Sequence, residues 1–408
     1  MKILHINVAD HTGGADIACM RHCEAMRAAG YDARMLVVEK QGSKSFIRQA
    51  VKGRAMNWHR VLCHLYRRII GRLHPVGNFS VMCFGHPLHR RKEVLEADVL
   101  FLHWVNNNTL SLKGVSRILK LGKPTFWFMH DMFPISGGCH HALQCKGYQS
   151  DCRDCPMIGN ASWRRIAERQ LRKKLSQWSR FPNLSFITPS QWLADCVRKS
   201  PLAKGHPLYV VPNVIDTQLY RPLPKDSKAL FGLDPKKKTI LLGASSMQSM
   251  YKGMRQLREC LMMLDPDRYE GLVIGDSPDL VKDLPIRIKQ AGYLFDDLSL
   301  VLAYNACDTF VISSVAENYP NVVLEAMSCG KPCVGYNTGG IPELIRHGQT
   351  GYITPVNTPE ALVEGIEYLF ADEVRYRRWS LAARHQIEEK NAYQAVKTIH
   401  TELSGINN

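Results

Sequence analysis

Residues 313–347 read SSVAENYPNVVLEAMSCGKPCVGYNTGGIPELIRH, and this stretch decides the fold. An apolar run at 308–312 precedes it and predicts a buried parallel strand. Pro320 stands where a first helical position belongs, residues 321–328 continue that helix, and Gly330 closes it. Residues 332–336 predict a second strand, followed by the Gly339-Gly340 turn and a short helix with Pro342 near its start. Two strand ends and two helix N-termini are therefore expected close together, each offering backbone N–H groups that have no partner inside the helix. Glu317 lies in the loop before the first helix and Glu325 within it. Helical side chains lean toward the helix N-terminus, so both carboxylates are expected to line one mouth, suited to a ligand with phosphates and hydroxyls.

The E-x7-E spacing of Glu317 and Glu325, the run EAM-CGKPCVG and the segment GGIPELI-HG-TGY together resemble the donor-binding half of the family 4 retaining glycosyltransferases. A lone E-x7-E says little, because helices carry glutamate everywhere. Within a strand–loop–helix–strand–GG–helix frame it is specific. The resemblance implies a GT-B fold, two Rossmann-like doubly wound α/β domains facing a cleft. It places Glu317 near the donor sugar, Glu325 on the ribose hydroxyls, and the neighbouring Tyr319, Pro320, Asn321 and Val322 around the nucleotide diphosphate. It also implies that no metal is required for catalysis, a nucleotide-diphosphate sugar being the donor.

With 408 residues the chain is long enough for two domains of about 200 each. Its 45% hydrophobic and 22% charged content are ordinary globular values. No stretch approaches the roughly 18 unbroken apolar residues of a spanning helix. The opening MKILHINVAD predicts a first strand rather than a signal peptide. Thirteen cysteines in such a chain argue for a reducing cytoplasm and against a disulfide framework. The net charge of +16 is one-sided: residues 1–216 carry +18 and the remainder −2. An anionic membrane surface, a phosphate-bearing acceptor or nucleic acid would each explain a basic half. Nucleic acid is set aside, because neither aromatic-interleaved basic strands nor a known reading helix is present. A solvated basic surface is the plain alternative.

Residues 2–8 predict a strand, then His11-Thr12-Gly13-Gly14, a helix over 15–29 and a strand over 32–38, the opening of a doubly wound domain. This is not a G-x-G-x-x-G fingerprint. The resemblance brings Gly13 and Gly14 toward the diphosphate and acceptor, whereas a simple turn is the alternative. Residues 51–73 place Val51, Ala55, Trp58, Leu62, Leu65, Ile69 and Leu73 at helical spacing, with Arg54, Arg60, Arg67, Arg68 and Arg72 between them. Such a helix either lies on an anionic bilayer or faces the core with its basic side in water. The strands at 97–102 and 124–129 end in His103-Trp104 and His130-Asp131, and both histidines are expected to face the ligand crevice. The resemblance puts His130 at the donor sugar, with Asp131 orienting it or meeting the acceptor.

Cys139, Cys145, Cys152 and Cys155 then follow in the spacing C-x5-C-x6-C-x2-C, with His140 and His141 beside the first. Four thiols in seventeen residues of polar loop fit a structural zinc site, with iron–sulfur ligation and free thiols as alternatives. The loop is similar to that of a subgroup building exopolysaccharides and colanic acid, and is expected to shape the acceptor side. Residues 163–180 predict a basic helix whose run either grips phosphates or forms a solvated face.

The crossover YVVPNVID at 209–216 resembles that of the family, with Val214 in place of the usual glycine. After the strand at 239–243 the family offers an Arg and then a Lys before Gly. Lys252-Gly253 matches the second, whereas Ala244, Ser245 and Ser246 occupy the place of the first. Lys252 is thus expected to meet the donor diphosphate with less cationic help. Three domains of sequence are expected: 1–212 on the acceptor side with its cysteine loop at 137–159, 213–384 for the nucleotide sugar, and a C-terminal helix at 385–408 packing back. The function these readings converge on is retaining transfer of a hexose to a glycan or lipid-linked saccharide in bacterial surface polysaccharide synthesis. Its expected seat is the cytoplasm, peripheral to the inner face of the membrane, and the resemblance implies that His130, Lys252 and Glu317 carry the chemistry. A nucleotide-sugar epimerase and a non-catalytic nucleotide-sugar sensor are the alternatives.

Overall fold

The structure, a computed structural model, describes residues 1–11, 13–73, 79–159, 163–224, 227–243, 250–275, 281–294 and 296–389, with 396, 399 and 401 beyond them. Two compact units divide it, residues 1–214 with 395–408 and residues 215–394.

The first unit is built on a seven-stranded sheet. Its strands are β1 (Lys2–Ala9), β2 (Asp32–Glu39), β3 (Ile47–Gln49), β4 (Val99–Leu102), β5 (Thr125–Phe128), β6 (Leu184–Thr188) and β7 (Leu208–Val210). They lie in the order β3-β2-β1-β4-β5-β6-β7 with every pair parallel. The run of apolar residues in β1, β4 and β5 follows from burial on both faces, since parallel strands are covered by helices above and below. The order reverses between β1 and β4, so the loops after these two strands border the crevice where doubly wound sheets bind ligands.

The second unit repeats the plan with six parallel strands: β8 (Lys238–Gly243), β9 (Tyr269–Ile274), β10 (Arg287–Gly292), β11 (Thr309–Ile312), β12 (Cys333–Gly335) and β13 (Gly351–Ile353). Their order is β10-β9-β8-β11-β12-β13, and its reversal falls between β8 and β11. The two hydrophobic clusters of this unit include Phe310 and Val323 in one, Val311 and Trp379 in the other. Strands β3, β7 and β13, three residues each, escape the sequence pattern because they are too short to show alternation. Edge strand β10 escapes it because Arg287, Lys289 and Gln290 break any apolar run. Among the described residues no helix is long and apolar enough to cross a membrane. The expected C-terminal helix at 385–408 lies largely outside the described residues.

Candidate functional site

In the second unit the loop leaving β11 is held from two sides. Ser313 Oγ donates to the Lys252 carbonyl at 2.8 Å, and the Val315 N–H donates to the Tyr251 carbonyl at 2.8 Å. Gly253 takes a left-handed φ of 64°, and a Cβ there would stand 1.9 Å from the Ser313 carbonyl oxygen. Gly339, at φ 57°, would put a Cβ 1.7 Å from the Glu317 carbonyl oxygen. Only glycine satisfies both the backbone angle and the clearance. The loop so clamped presents Glu317, whose Oε2 pairs with Lys252 Nζ at 2.6 Å and whose Oε1 accepts from the Asn318 N–H at 3.2 Å. Lys252 and Glu317 are thus brought together, with their side chains 29% and 13% exposed.

The helix Asn321–Ser328 begins one residue later than the sequence suggests. Pro320 is its cap, in extended conformation (φ −70°, ψ 121°), and Asn321 is the first helical residue. The Pro320 carbonyl accepts from the Val323 and Leu324 N–H groups, which opens the helix at Asn321 and Val322. Glu325 sits one turn on and is only 4% exposed, deeper than the shared mouth predicted for it. Its Oε2 accepts from the buried Tyr304 hydroxyl at 2.7 Å. Burial, with Glu325 adding to it, pushes the Tyr304 phenol well up, so the hydroxyl keeps its proton and donates. Tyr304 comes from the helix Asp297–Asn305 and is a site residue that sequence reasoning missed, because its partner Glu325 lies on another element. Tyr319 is buried, and that burial raises its phenol too. Residues 244–246, where the family's Arg is replaced, lie outside the described residues.

In the first unit Gly13 is an extended cap and Gly14 the first residue of the helix Gly14–Ala28, a helix N-terminus rather than a tight turn. His130 is partly exposed beyond the end of β5, as expected, but His103 is not at the crevice. It is 2% exposed, between His5 Nδ1 on its Nε2 (2.9 Å) and His130 Nε2 on its Nδ1 (2.9 Å). Three adjacent strands thus line up three imidazoles, and the ring of His103 also stacks on Phe128 at 5.3 Å. Burial holds His5 and His103 well below the ordinary histidine range, and His130 at about 4, so the row is neutral near pH 7. Asp131 does not orient His130 by a hydrogen bond. Its Oδ1 accepts from the Phe133 N–H at 2.8 Å and its Oδ2 from Trp104 Nε1 at 2.9 Å and the His140 ring at 2.5 Å. Burial opposes its ionisation, but His140 and these donors outweigh that and hold the carboxyl at about 2. His140, its Nε2 on Ser80 Oγ at 2.8 Å, is thereby removed from the candidate metal ligands.

Cys139, Cys152 and Cys155 are buried and Cys145 half-buried around one small cavity. The helix Arg165–Trp178 below them is not simply a solvated basic rod: Glu168, Gln170 and Lys174 turn inward. The helix Arg54–Leu73 does not turn the expected apolar stripe to the core. Its buried face is Met56, His59 and Cys63, while Trp58 (68%), Leu62 (37%), Leu65 (52%) and Ile69 (49%) form an exposed apolar stripe flanked by exposed Arg60, Arg67 and Arg68.

Two Rossmann-like domains, each with its sheet reversal beside a polar cluster, define a GT-B type of architecture. Residues 233–386, within the second unit, match the family Glycosyl transferases group 1. Among curated relatives, the N-acetyl-alpha-D-glucosaminyl L-malate synthase of Bacillus anthracis is 36% identical over 127 residues, 29% of this chain and 32% of that protein. A protein of Escherichia coli (strain K12), provisionally assigned as the colanic acid biosynthesis glycosyl transferase WcaC, is 26% identical over 267 residues, 61% of this chain and 62% of that one. The chain thus spans about a third to just under two thirds of these relatives. Sucrose-phosphate synthase from Thermosynechococcus elongatus shares the fold with a TM-score of 0.69 at 16% identity, over 100% of this chain and 99% of that one. Anabaena HepE in complex with UDP-glucose does so with a TM-score of 0.66 at 18% identity, over 99% and 100%.

Proposed function

We propose that the protein is a retaining glycosyltransferase that moves a sugar from a nucleotide-diphosphate sugar to a saccharide or lipid-linked acceptor of a surface polysaccharide. The observation that carries this reading is the ordered carboxylate pair of the second unit, Glu317 locked to Lys252 and Glu325 locked to Tyr304. A buried carboxylate with one oxygen fixed is a good acceptor for a ribose diol, because its orientation is settled before the ligand arrives. Lys252 and the N-terminal end of the helix Asn321–Ser328 are suited to a leaving diphosphate, as preorganised positive charge. Glu317 takes a donor-sugar hydroxyl and keeps the Lys252 ammonium aimed. The step itself is a front-face displacement. The anomeric carbon–phosphate oxygen bond breaks as the bond to the acceptor oxygen forms on the same face, and the departing phosphate oxygen receives the acceptor's proton. His130, held neutral and steadied by His103, is assigned to the sugar rather than to proton transfer. The UDP-glucose complex of the Anabaena neighbour supports a nucleotide sugar as donor.

The lipid-linked half of the proposal is supported by the exposed Trp58–Leu62–Leu65–Ile69 stripe and its flanking arginines, which suit an anionic bilayer surface and hence a peripheral seat on the cytoplasmic face. A panel of nucleotide sugars, offered with membrane lipid extract, tests the whole reading. Nucleoside diphosphate should be released and a product formed with the donor's anomeric configuration kept. An inverted product would end the retaining assignment, and absence of any thermal shift with every donor would end the donor-site assignment.

A further inference from the structure

The segment 137–159 contains neither strand nor α-helix, only the 3-10 turn Gly147–Gln149, and yet it is packed down. What packs it is a ring of sulfur. Cys139, Cys145, Cys152 and Cys155 line one cavity of about 20 Å³, together with Phe79 and Tyr148. Each of the six pairs among the four is close enough for charge on one sulfur to be felt at the other. Backbone N–H groups point at sulfur: Gly137 onto Cys152 Sγ at 3.2 Å and Gly147 onto Cys145 Sγ at 3.4 Å, with Met157 and Ile158 directed at Cys155. N–H groups aimed at sulfur stabilise thiolate far more than thiol, since charge strengthens the hydrogen bond.

Under this ring lies a buried lysine. Lys174, fully buried, donates to the carbonyls of Phe133 and Ser136, the latter at 2.9 Å, and stands 3.6 Å over the Phe133 ring. Gly137, whose N–H reaches Cys152, is the next residue along from that Ser136 carbonyl. The groups that face it are Cys152, Cys139 and Asp131, and Asp131 is already paired with His140. The same helix, Arg165–Trp178, ties the loop again through Gln170, which donates to the Gly137 carbonyl at 2.9 Å, and through buried Glu168, which faces Arg153 between the last two cysteines.

We infer that Cys139, Cys145, Cys152 and Cys155 hold one zinc ion in a tetrahedral thiolate shell that fastens the 137–159 loop onto the helix carrying Lys174. A four-sulfur tetrahedral shell selects zinc or an iron–sulfur cluster. The small cavity, about 20 Å³, favours a single ion over a cluster with its own sulfides. Zinc–sulfur bonds of about 2.3 Å would set the sulfurs about 3.8 Å apart. Among the described residues the donor atoms that lie within 4.8 Å of one another in a group of three belong to His5, Cys19 and His103, so no three of the four loop sulfurs are yet that close. Ion binding would draw the sulfurs inward. The trio of His5, Cys19 and His103 is a packed core, its two imidazoles already hydrogen-bonded to each other at 2.9 Å. This inference does not depend on the sugar-transfer reading.

Elemental analysis of the full chain, purified without chelator, tests it alongside thiol titration under native conditions. One equivalent of zinc is expected, with four thiols shielded until a chelator releases the metal. Cys152→Ser and Cys155→Ser should lose the zinc, and Cys83→Ser, at an exposed cysteine, should keep it. Should the serine variants fail to fold, cobalt exchanged into the parent protein should give the intense visible bands of tetrahedral cobalt thiolate. A metal-free folded chain with all four thiols reactive, a disulfide among them, or iron with acid-labile sulfide would each overturn the zinc site.

Discussion

Glu325 and Tyr304 make the residue-scale case most directly, since one hydrogen bond of 2.7 Å joins a buried carboxylate to a buried phenol. Glu325→Ala should abolish nucleotide binding in calorimetry. Tyr304→Phe should keep binding but weaken it about tenfold, a hydrogen bond to a charged group being worth roughly 1.5–3 kcal/mol. His130→Ala should leave donor affinity unchanged and remove turnover, which separates the sugar-orienting role from nucleotide capture in a paired binding and rate measurement. Gly339→Ala should act differently again. With a carbonyl oxygen 1.7 Å from the new methyl, it should lower stability by about 3 kcal/mol and displace Glu317, seen as a lower unfolding midpoint and a lost rate together. Of these residues Glu317, Glu325, Lys252 and His130 stand out in the sequence because their spacing or strand-end position is distinctive. Tyr304 and His103 do not, since nothing local marks a tyrosine or histidine whose partner lies on another element. For His103 the strand-end position misled: the crevice side is taken by His130, and the parallel neighbours β1 and β5 bring rings against both its nitrogens.

Helix Arg54–Leu73 carries the lesson of the element scale. Its period of apolar residues is legible from sequence, but which stripe meets the core is not, because Met56, His59 and Cys63 form a second, less apolar stripe that can also be buried. What decides is the partner surface: His59 meets His86 at 3.0 Å and Cys63 meets the Asn107 carbonyl at 3.4 Å, so polar pairing holds the less greasy face inward. The exposed face should then bind anionic vesicles in co-sedimentation. Replacing Trp58 and Leu65 together by Ser and Gln should abolish that binding while leaving the melting temperature within a degree or two, since surface changes move stability little. Raising the salt should weaken the parent's binding as its arginines are screened.

Across the whole molecule the ionisable groups are unevenly shared. The second unit holds only His347 and His385 among its histidines, whereas His5, His22, His103 and His130 all lie in the first. Burial holds these four below the ordinary value of about 6.5, His22 at about 3 and His130 at about 4. The unfolded chain therefore binds more protons than the folded one in this range, so their contribution to stability is complete above about pH 6.5 and is lost as pH falls from there toward 4. The first unit should acid-denature ahead of the second, and six of the seven tryptophans lie in it to report the transition by fluorescence. The doubly wound order of both sheets is legible from the alternation of apolar runs with helical stretches, because long parallel crossovers leave a strong pattern. The three-residue edge strands are fixed only by the neighbour they join. The paired glycines at 253 and 339 bear on how such a protein can be altered. The segment between Ser313 and Glu317 is wedged against backbone on both sides, so it works as a fixed gauge rather than an adjustable jaw. Libraries meant to change donor preference should leave this gauge and its two wedges intact and vary the side chains that surround the bound sugar.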